Sequence, residues 1–192
     1  MADFVHLHVH SDYSLLDGAA AVEKLVDRAA EYGFEELALS DHGNMFGALH
    51  FYKACRKRNI KPIIGCEFYR TPGSRHTKTP EEKHKRLSHL VLLAKNRTGY
   101  RNLMILSSLS FLEGFYYKPR IDDELLEKYH EGLICLTSCL AGDIPQDILN
   151  GRNEEAEKRA LWYRNLFGEE NFYLEIQDHG IPEQETVKKG IV

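Results

Sequence analysis

The amino-acid sequence predicts an α/β protein whose sheet is a parallel barrel short of closure. Short apolar runs alternate with segments in which apolar residues recur every three or four positions, as expected for strands alternating with helices. These segments form about six β/α units of roughly 30 residues, a pattern typical of barrels. The chain stops at Val192 inside the last predicted helix, so we expect it to be a fragment of a longer protein.

In the first half of the chain the predicted strands are Phe4–Val9, Glu36–Ser40 and Pro62–Tyr69. The first predicted helix carries an apolar stripe and ends at Gly33. The stripe consists of Val22, Leu25, Val26, Ala29 and Ala30. The second predicted helix runs from about Met45 to Arg58. The alternation of strand and helix therefore begins at the N-terminus.

The second half of the chain continues this alternation. Its predicted strands are His89–Ala94, Leu133–Thr137 and Phe172–Ile176. Its predicted helices are Thr98–Leu112, Asp122–Tyr129, Arg152–Phe167 and one that begins after Pro182. The apolar face of the third of these helices consists of Ala156, Ala160, Tyr163 and Phe167, and Gly168 ends the helix.

The composition indicates one soluble globular domain. The chain has 192 residues, of which 43% are hydrophobic and 28% charged, and no apolar run approaches the ~20 residues of a membrane span. The start, Met1-Ala2-Asp3-Phe4, lacks the features of a signal peptide, so we expect a cytoplasmic protein without a membrane partner. The cysteines Cys55, Cys66, Cys135 and Cys139 form no C-x-x-C pair, which favours free thiols or metal ligands over disulfides.

The net charge of −4 argues against a protein that binds nucleic acid over its whole surface. One stretch is nevertheless basic. Its cations are Arg70, Arg75, Lys78, Lys83, Lys85, Arg86, Lys95, Arg97 and Arg101. Either this stretch contacts a polyanion, or it is solvated and Thr71–Arg86, which contains Pro72, Gly73 and Pro80, is a mobile loop.

Three histidines alternate with apolar residues in H-L-H-V-H at positions 6–10. Successive side chains of a strand point to opposite faces, so His6, His8 and His10 are expected to share one face. Imidazole is the commonest metal ligand, and its ordinary pKa leaves it largely unprotonated at neutral pH. The pattern therefore predicts a metal or phosphate site. The alternative is a solvated strand face or an affinity tag, which the alternating apolar residues disfavour.

Further candidate ligands follow other predicted strands, where barrels of this type carry their catalytic residues. They are Asp17 after the first strand, Asp41 and His42 after the second, Glu67 in the third and Cys139 after the fifth. This mixture of donors suits zinc or another first-row ion such as manganese or iron. More than four donors indicate more than one ion, and clustered ions are typical of phosphoester hydrolysis.

Six sequence blocks together resemble the polymerase and histidinol phosphatase (PHP) domain family. They are H-L-H-V-H-S-D-Y-S-L-L-D-G, L-S-D-H-G-N-M-F-G, K-P-I-I-G-C-E-F-Y, H-L-V-L-L-A-K-N-R-T-G-Y-R-N-L, G-F-Y-Y-K-P-R-I-D and L-T-S-C-L-A-G-D-I-P. The most similar branch is found at the N-terminus of bacterial replicative polymerases of the polymerase III class. The resemblance implies a distorted (β/α)7, TIM-like barrel. It also implies that residues 1–192 form one PHP domain, which is truncated before its last strand or strands. It also implies up to about three metal ions and phosphoesterase chemistry.

The resemblance also implies roles for individual residues. The matched ligand positions are His8, His10, Asp17, His42, Glu67 as a carboxylate that bridges ions, His89, and Cys139 at a position occupied by Cys or His. His6 stands where the family often has Asp and is expected beside the ligands rather than among them. Asp41 is expected either to support the ligands or to cap the following helix.

The sequence departs from the family pattern in two places. The family's last motif, Asp-x-His, is absent, and Asp178 and His179 are adjacent instead of spaced. His89 opens its predicted strand, so the rule for barrel strand ends does not place it near the metals. Alternatives also remain for single residues: His42 as a core or capping residue, Glu67 as a solvated carboxylate, and Cys139 as a small buried hydrophobe.

Other polar and aromatic residues receive weaker interpretations. His50, His76, His84 and His130 lack supporting partners and are expected on the surface. The aromatic set Phe115, Tyr116 and Tyr117, with Lys118 and Arg120, either stacks on nucleic-acid bases or forms a packed loop.

Three functions are compatible with these motifs. The first is a metal-dependent phosphoesterase module of a replicative polymerase subunit, acting as a 3′–5′ exonuclease on DNA. The second is a catalytically silent module that stabilises the polymerase and binds the separate proofreading exonuclease subunit. The third is a free-standing phosphatase similar to histidinol phosphatase. The expected partners are DNA and the other subunits of the polymerase holoenzyme.

Overall fold

The described residues form a mixed six-stranded sheet with helices packed along it. The computed structural model describes residues 4–15, 17–81 and 87–192. The strands are β1 Glu36–Leu39, β2 Lys61–Arg70, β3 Ser88–Ala94, β4 Arg120–Ile121, β5 Leu133–Leu136 and β6 Phe172–Tyr173. The helices are α1 Val22–Glu31, α2 Ala48–Lys57, α3 Arg97–Leu112, α4 Asp123–Tyr129, α5 Asp143–Leu149, α6 Asn153–Phe167 and α7 Pro182–Ile191. The predicted α/β class is confirmed.

The direction of β3 differs from the predicted parallel arrangement. The strand order is β1-β2-β3-β5-β6, with β4 beside β2. β3 runs antiparallel to both β2 and β5, whereas β1 with β2, β2 with β4, and β5 with β6 are parallel pairs. The expectation of an all-parallel sheet was therefore wrong for β3. Because β3 is antiparallel, it begins at the edge of the sheet where the neighbouring strands β2 and β5 end.

The N-terminal histidine segment is extended but is not a strand along its predicted length, Phe4–Val9. It bends at His8. One hydrogen bond connects it to β1 and another connects it to the residue directly after β1. The Ala38 amide donates to the His6 carbonyl over 3.0 Å, and the Ser40 amide donates to the Val9 carbonyl over 2.8 Å. Because a bend interrupts the regular alternation of a strand, the three histidines do not share one face.

Both faces of the central strand β3 are buried, which explains its continuous apolar sequence. Leu90 and Leu92 pack in a core with helices α3 to α6, whereas Val91 and Leu93 point to the opposite face and pack against β1 and β5. A separate core lies between β1 and helices α1 and α2. Helix α1 ends before Gly33, whose φ of +74° suits glycine. These packed layers leave the ends of the strands to carry polar residues.

Several predicted boundaries and loops need correction. Helix α5 and strand β4 were not predicted, and the last strand ends at Tyr173 instead of Ile176. The first part of the predicted mobile loop is fixed, because the Arg75 amide donates to Asp122 over 2.9 Å and Thr71 is buried. A loop held by buried hydrogen bonds has lost the freedom expected of Pro- and Gly-containing segments. Lys83, Lys85, Arg86 and His84 lie outside the described residues.

Candidate metal centre

Five chain segments bring ligand-type side chains to one edge of the sheet. His8 and His10 come from the N-terminal segment, and His42 follows β1, where it forms a bridge with Glu67 of β2. Tyr69 of β2 pairs with His89 at the beginning of the antiparallel strand β3. The remaining contributions come from the turn after β5, residues Ser138 and Cys139. The edge therefore collects nitrogen, oxygen and sulfur donors around one carboxylate.

Glu67 lies at the centre of this group and is completely buried. Its Oε2 atom is 3.2 Å from His8 Nε2, 2.9 Å from His10 Nε2 and 3.1 Å from His42 Nδ1. His8 Nε2 and His10 Nε2 are themselves 3.2 Å apart. We call Glu67 with His8, His10, His42 and His89 the histidine cluster.

The orphaned polar atoms of the histidine cluster, rather than the spacing of its donors, favour shared coordination of a cation. Glu67 Oε2 and His42 Nδ1 are buried, and within the described part of the chain neither has a hydrogen-bond partner of acceptable geometry. Two donors on a tetrahedral zinc ion lie roughly 3.4 Å apart, given metal–ligand distances of about 2.0–2.1 Å. The triangle formed by His8 Nε2, His10 Nε2 and Glu67 Oε2 has edges of 3.2, 2.9 and 3.2 Å. This donor set fits a divalent first-row metal.

The second oxygen of Glu67 faces a different set of donors. Glu67 Oε1 is 3.1 Å from His89 Nδ1 and 3.8 Å from Cys139 Sγ, and Cys139 Sγ is 3.7 Å from His89 Nδ1. The Ser138 hydroxyl donates to the same oxygen. Ser138 has a φ of +65°, which is uncommon for a residue other than glycine. The two oxygens of one carboxylate thus point to two groups of potential ligands.

Asp17 joins a further group at the exposed side of the cluster. Its Oδ2 atom is 2.8 Å from His10 Nδ1 and 3.1 Å from His42 Nε2. The described residues contain three overlapping groups with donor spacing suited to an ion. They are His8, His10 and Glu67; His10, Asp17 and His42; and His42, Glu67 and His89.

Burial and charge set unusual pKa values in the cluster. Burial lowers the pKa of His42 to about 4, so this imidazole keeps a lone pair at neutral pH. Burial alone would lower the pKa of His8, but the nearby Glu175 and Glu67 carboxylates outweigh it and raise the pKa to about 10. Burial alone would raise the pKa of Glu67, but His10, His8 and His89 hold it well below its usual range. Glu67 is therefore an anion at neutral pH.

Glu175 is a member of the site that the sequence analysis missed. Its Oε1 atom accepts a hydrogen bond from His8 Nδ1 over 2.7 Å, and Gln177 donates to the same oxygen over 2.7 Å. A carboxylate that binds one nitrogen of an imidazole aims the other nitrogen at a metal. The available signal was a charged residue inside the predicted apolar strand Phe172–Ile176.

His6 and Asp41, the two residues expected beside the ligands, differ in their position: His6 lies away from Glu67, and Asp41 lies beside the cluster. The ring of His6 packs edge-on against Phe4 at 4.8 Å and Phe34 at 5.3 Å, and no described contact joins it to Glu67. Asp41 is buried beside the cluster and accepts hydrogen bonds from the amide of Ser11 over 2.6 Å and its hydroxyl over 2.9 Å. Asp41 therefore fixes the turn that follows His10.

Comparisons with known proteins show the family of the chain. The family model of the PHP domain matches residues 6–179. The chain belongs to the PHP domain family. It is 59% identical over 184 residues to DNA polymerase III subunit alpha of Treponema pallidum, a match that covers 96% of this chain and 16% of that protein. It is 52% identical over 189 residues to the same subunit of Borreliella burgdorferi, covering 98% of this chain and 16% of that protein.

These curated relatives are much longer than the chain, which spans 16% of their length. A solved structure of an amidohydrolase from Chromobacterium violaceum is 26% identical, covers 56% of this chain and 33% of its own chain, and has a TM-score of 0.41. None of the helices in the described part of the chain is long and apolar enough to cross a membrane.

Proposed function

We propose that this PHP domain is part of a DNA polymerase III alpha subunit and hydrolyses phosphodiester bonds of DNA with divalent metal ions held by the histidine cluster. The observation that carries the proposal is the buried Glu67 carboxylate, which faces ligand-type side chains with both oxygens. The identity to polymerase III alpha subunits over nearly the whole chain supports the assignment to a replicative polymerase.

The proposed ligands follow from the number of lone pairs. A neutral imidazole has one lone pair, so His10 and His42 can each serve one ion only. Three sets then use each imidazole once. They are His8, His10 and Glu67 Oε2; Asp17 and His42; and Glu67 Oε1, His89 and Cys139. Zinc, manganese or iron suits these donors, and the sets accommodate up to three ions with Glu67 as the bridging carboxylate.

The proposed chemistry uses the chain's own residues to hold and orient the reacting groups. When bound, divalent ions lower the pKa of water and neutralise charge on phosphoryl oxygens. Glu175 orients His8, and Ser138 holds one oxygen of Glu67. The carboxylates of Glu67 and Asp17 attract divalent cations to the site. The bound cations then offset the repulsion between these carboxylates and a phosphodiester.

The test compares Glu67→Gln with Glu127→Gln, a variant of an exposed glutamate on α4. We expect metal-loaded wild type to release nucleotides from 3′-labelled single-stranded DNA, Glu67→Gln to lose bound metal and cleavage, and Glu127→Gln to keep both. Metal content is measured by elemental analysis and folding by circular dichroism. Undiminished cleavage by a folded Glu67→Gln protein would disprove the proposal.

We further propose that residues 1–192 form one domain with the distorted (β/α)7 barrel that the family resemblance implies. The convergence of donors at one edge of the sheet supports this architecture. The similarity to polymerase III alpha subunits supports a cytoplasmic location and a place in the polymerase holoenzyme, with DNA and the proofreading exonuclease subunit as partners.

A structural role is the second candidate, and one contact favours it. The hydrogen bond between His8 and Glu175 joins segments 167 residues apart, so the cluster fastens the N-terminal segment to the region after β6. In this role, metal raises the melting temperature without cleavage of DNA. A wild-type protein that binds metal stoichiometrically and leaves 3′-labelled DNA intact would support this candidate over hydrolysis.

A further inference from the structure

Lys118 lies beside the histidine cluster without a carboxylate partner among the described residues. Its Nζ atom is 5.0 Å from the centre of the Tyr69 ring and 3.5 Å from the Tyr69 hydroxyl. The Tyr69 ring stacks on His42 at 5.5 Å and meets His89 edge-on at 5.2 Å. The ammonium group is therefore one aromatic ring away from two imidazoles of the cluster.

The turn that carries Lys118 has a defined backbone. Tyr117 has a φ of +60°, and the Tyr116 amide donates to the Lys118 carbonyl over 3.1 Å. The neighbouring Arg120 is buried and donates to the Gly114 carbonyl over 2.8 Å. Arg120 therefore stabilises the segment between α3 and β4, whereas Lys118 is placed to contact a ligand.

Three exposed phenylalanines lie close to one another, and one of them, Phe115, comes from the segment that carries Lys118. Phe46 is 66% exposed, Phe115 48% and Phe111 38%. The Phe46 and Phe111 rings are 6.0 Å apart, and the Phe111 and Phe115 rings are 6.1 Å apart and nearly parallel, with an angle of 17°. We call these three residues the phenylalanine row.

The phenylalanine row is fixed relative to the histidine cluster. The Asn44 side chain donates to the His42 carbonyl over 2.9 Å and accepts from the Phe46 amide over 3.0 Å, so it connects the two residues. Phe115 and Lys118 belong to the same turn-containing segment between α3 and β4. Exposed aromatic rings and a cation without a carboxylate partner are the two elements with which proteins bind single-stranded nucleic acid.

We propose that Lys118 and the phenylalanine row form a binding subsite for the end of a single DNA strand entering the histidine cluster. Lys118 contacts the phosphate next to the one at the cluster, and the row stacks on a base. The proposal rests on the proposed function, because it supplies the strand that the cluster would cleave. It names the substrate as single-stranded DNA with an intact base near its end.

The test measures binding by fluorescence anisotropy in EDTA, so that no hydrolysis is needed. The probes are a short labelled oligothymidylate and an oligomer of the same length with abasic sites in place of the bases. The variants are Phe46→Ala, Phe115→Ala and Lys118→Ala. The controls are Tyr32→Ala, an exposed ring on another surface, and Lys128→Ala, whose ammonium group lies 5.4 Å from the Tyr129 ring.

We expect each phenylalanine variant to weaken binding of oligothymidylate about tenfold and to leave binding of the abasic oligomer unchanged, because stacking requires a base. Lys118→Ala should weaken binding of both probes and reduce the salt slope by about 0.7, the value for one phosphate contact on a single strand. The two control variants should bind as wild type does.

The proposal is overturned if wild type does not bind oligothymidylate, or if the phenylalanine and lysine variants bind it as wild type does. Equal losses on both probes in the phenylalanine variants would also overturn it and would indicate a row that packs against protein. A wild type that binds as expected but never cleaves DNA would disprove the proposed hydrolysis and leave this subsite standing.

Discussion

Two buried clusters of charged side chains involve strand β2 and the loop after it, and they differ in how their charges are paired. In the arginine cluster, Arg70 donates to both oxygens of Asp123 at 2.6 and 2.7 Å, and Arg75 donates to Asp122 over 2.9 Å. In the histidine cluster, Glu67 is surrounded by imidazoles, and its Oε2 atom has no hydrogen bond of acceptable geometry among the described residues.

The difference separates a structural ion-pair network from a candidate metal site. Each buried guanidinium meets carboxylates with matching geometry, so the arginine cluster is complete without a ligand. Burial alone would lower the pKa values of Arg70 and Arg75, but their carboxylate partners hold both well above the usual range. In the histidine cluster, Glu67 Oε2 and His42 Nδ1 lie close to other ligand atoms without a hydrogen bond of acceptable geometry among the described residues, and a cation would satisfy them together.

The largest expected effect comes from breaking the arginine cluster. Asp122 is buried, pairs with Arg75 and caps α4 by accepting from the Leu125 amide over 3.2 Å. Asp122→Ala removes the buried partner of Arg75 and the cap of α4, while Glu113 at 2.7 Å and Glu124 at 3.0 Å still contact Arg75. We therefore expect a loss of about 3–4 kcal/mol in the free energy of unfolding, measured in urea. Asp27→Ala, which breaks an exposed pair with Arg58, is the control and should cost less than about 1 kcal/mol.

The next effect should appear only in the histidine cluster. Zinc or manganese at about 100 times its dissociation constant should stabilise wild type by about 2.7 kcal/mol, because metal binds the folded state. EDTA should reverse the shift. His42→Ala should lose most of it, whereas Asp123→Asn, in the arginine cluster, should keep it. If metal stabilised wild type, His42→Ala and Asp123→Asn equally, the metal would bind outside the histidine cluster.

A smaller effect should follow from the partner of His8. Glu175→Gln keeps the shape of the side chain but removes its charge, so His8 is held less firmly. We expect metal affinity to fall about 10–100-fold, measured by competition with a chelating dye. Glu183→Gln, an exposed change on α7, serves as the control. Unchanged affinity in Glu175→Gln would show that this contact does not orient a ligand.

The smallest expected effect is a pH dependence of the arginine cluster. Burial alone would raise the pKa of Asp123, but its hydrogen bond with Arg70 outweighs it and lowers the pKa. A carboxyl group with a depressed pKa stabilises the folded state above its unfolded pKa and loses this effect as pH falls through the folded pKa. Between pH ~6 and ~3, wild type should therefore lose more stability than Asp123→Asn. Parallel curves would contradict this.

The sequence was a good guide to residues that follow strands and a poor guide to contacts made across the sheet. His8, His10, His42 and Glu67 are brought together as their positions in predicted strands and turns suggested. His89 was placed only by family resemblance, because an apolar run has no direction and does not reveal that β3 is antiparallel. These ligand roles remain predictions.

Partners that are distant in sequence were the main omissions. Glu175 reaches His8 only because the segment after β6 approaches the N-terminal segment. Arg70 and Arg75 were counted in a basic stretch that either contacts a polyanion or is solvated. Their acidic partners are distant in sequence: they come from the residue after α3 and from the region around α4 and α5. Charge composition shows an excess of cations but does not show which acids fold against them.

The central claim is that the Glu67 cluster binds metal, and anomalous diffraction tests it directly. Crystals of this chain grown with zinc or manganese should show an anomalous peak about 2.0–2.2 Å from His8 Nε2, His10 Nε2 and Glu67 Oε2. A map without a peak at Glu67, in which the imidazoles donate hydrogen bonds to the carboxylate, would contradict the claim and leave the histidine cluster as an ion-pair network like its neighbour.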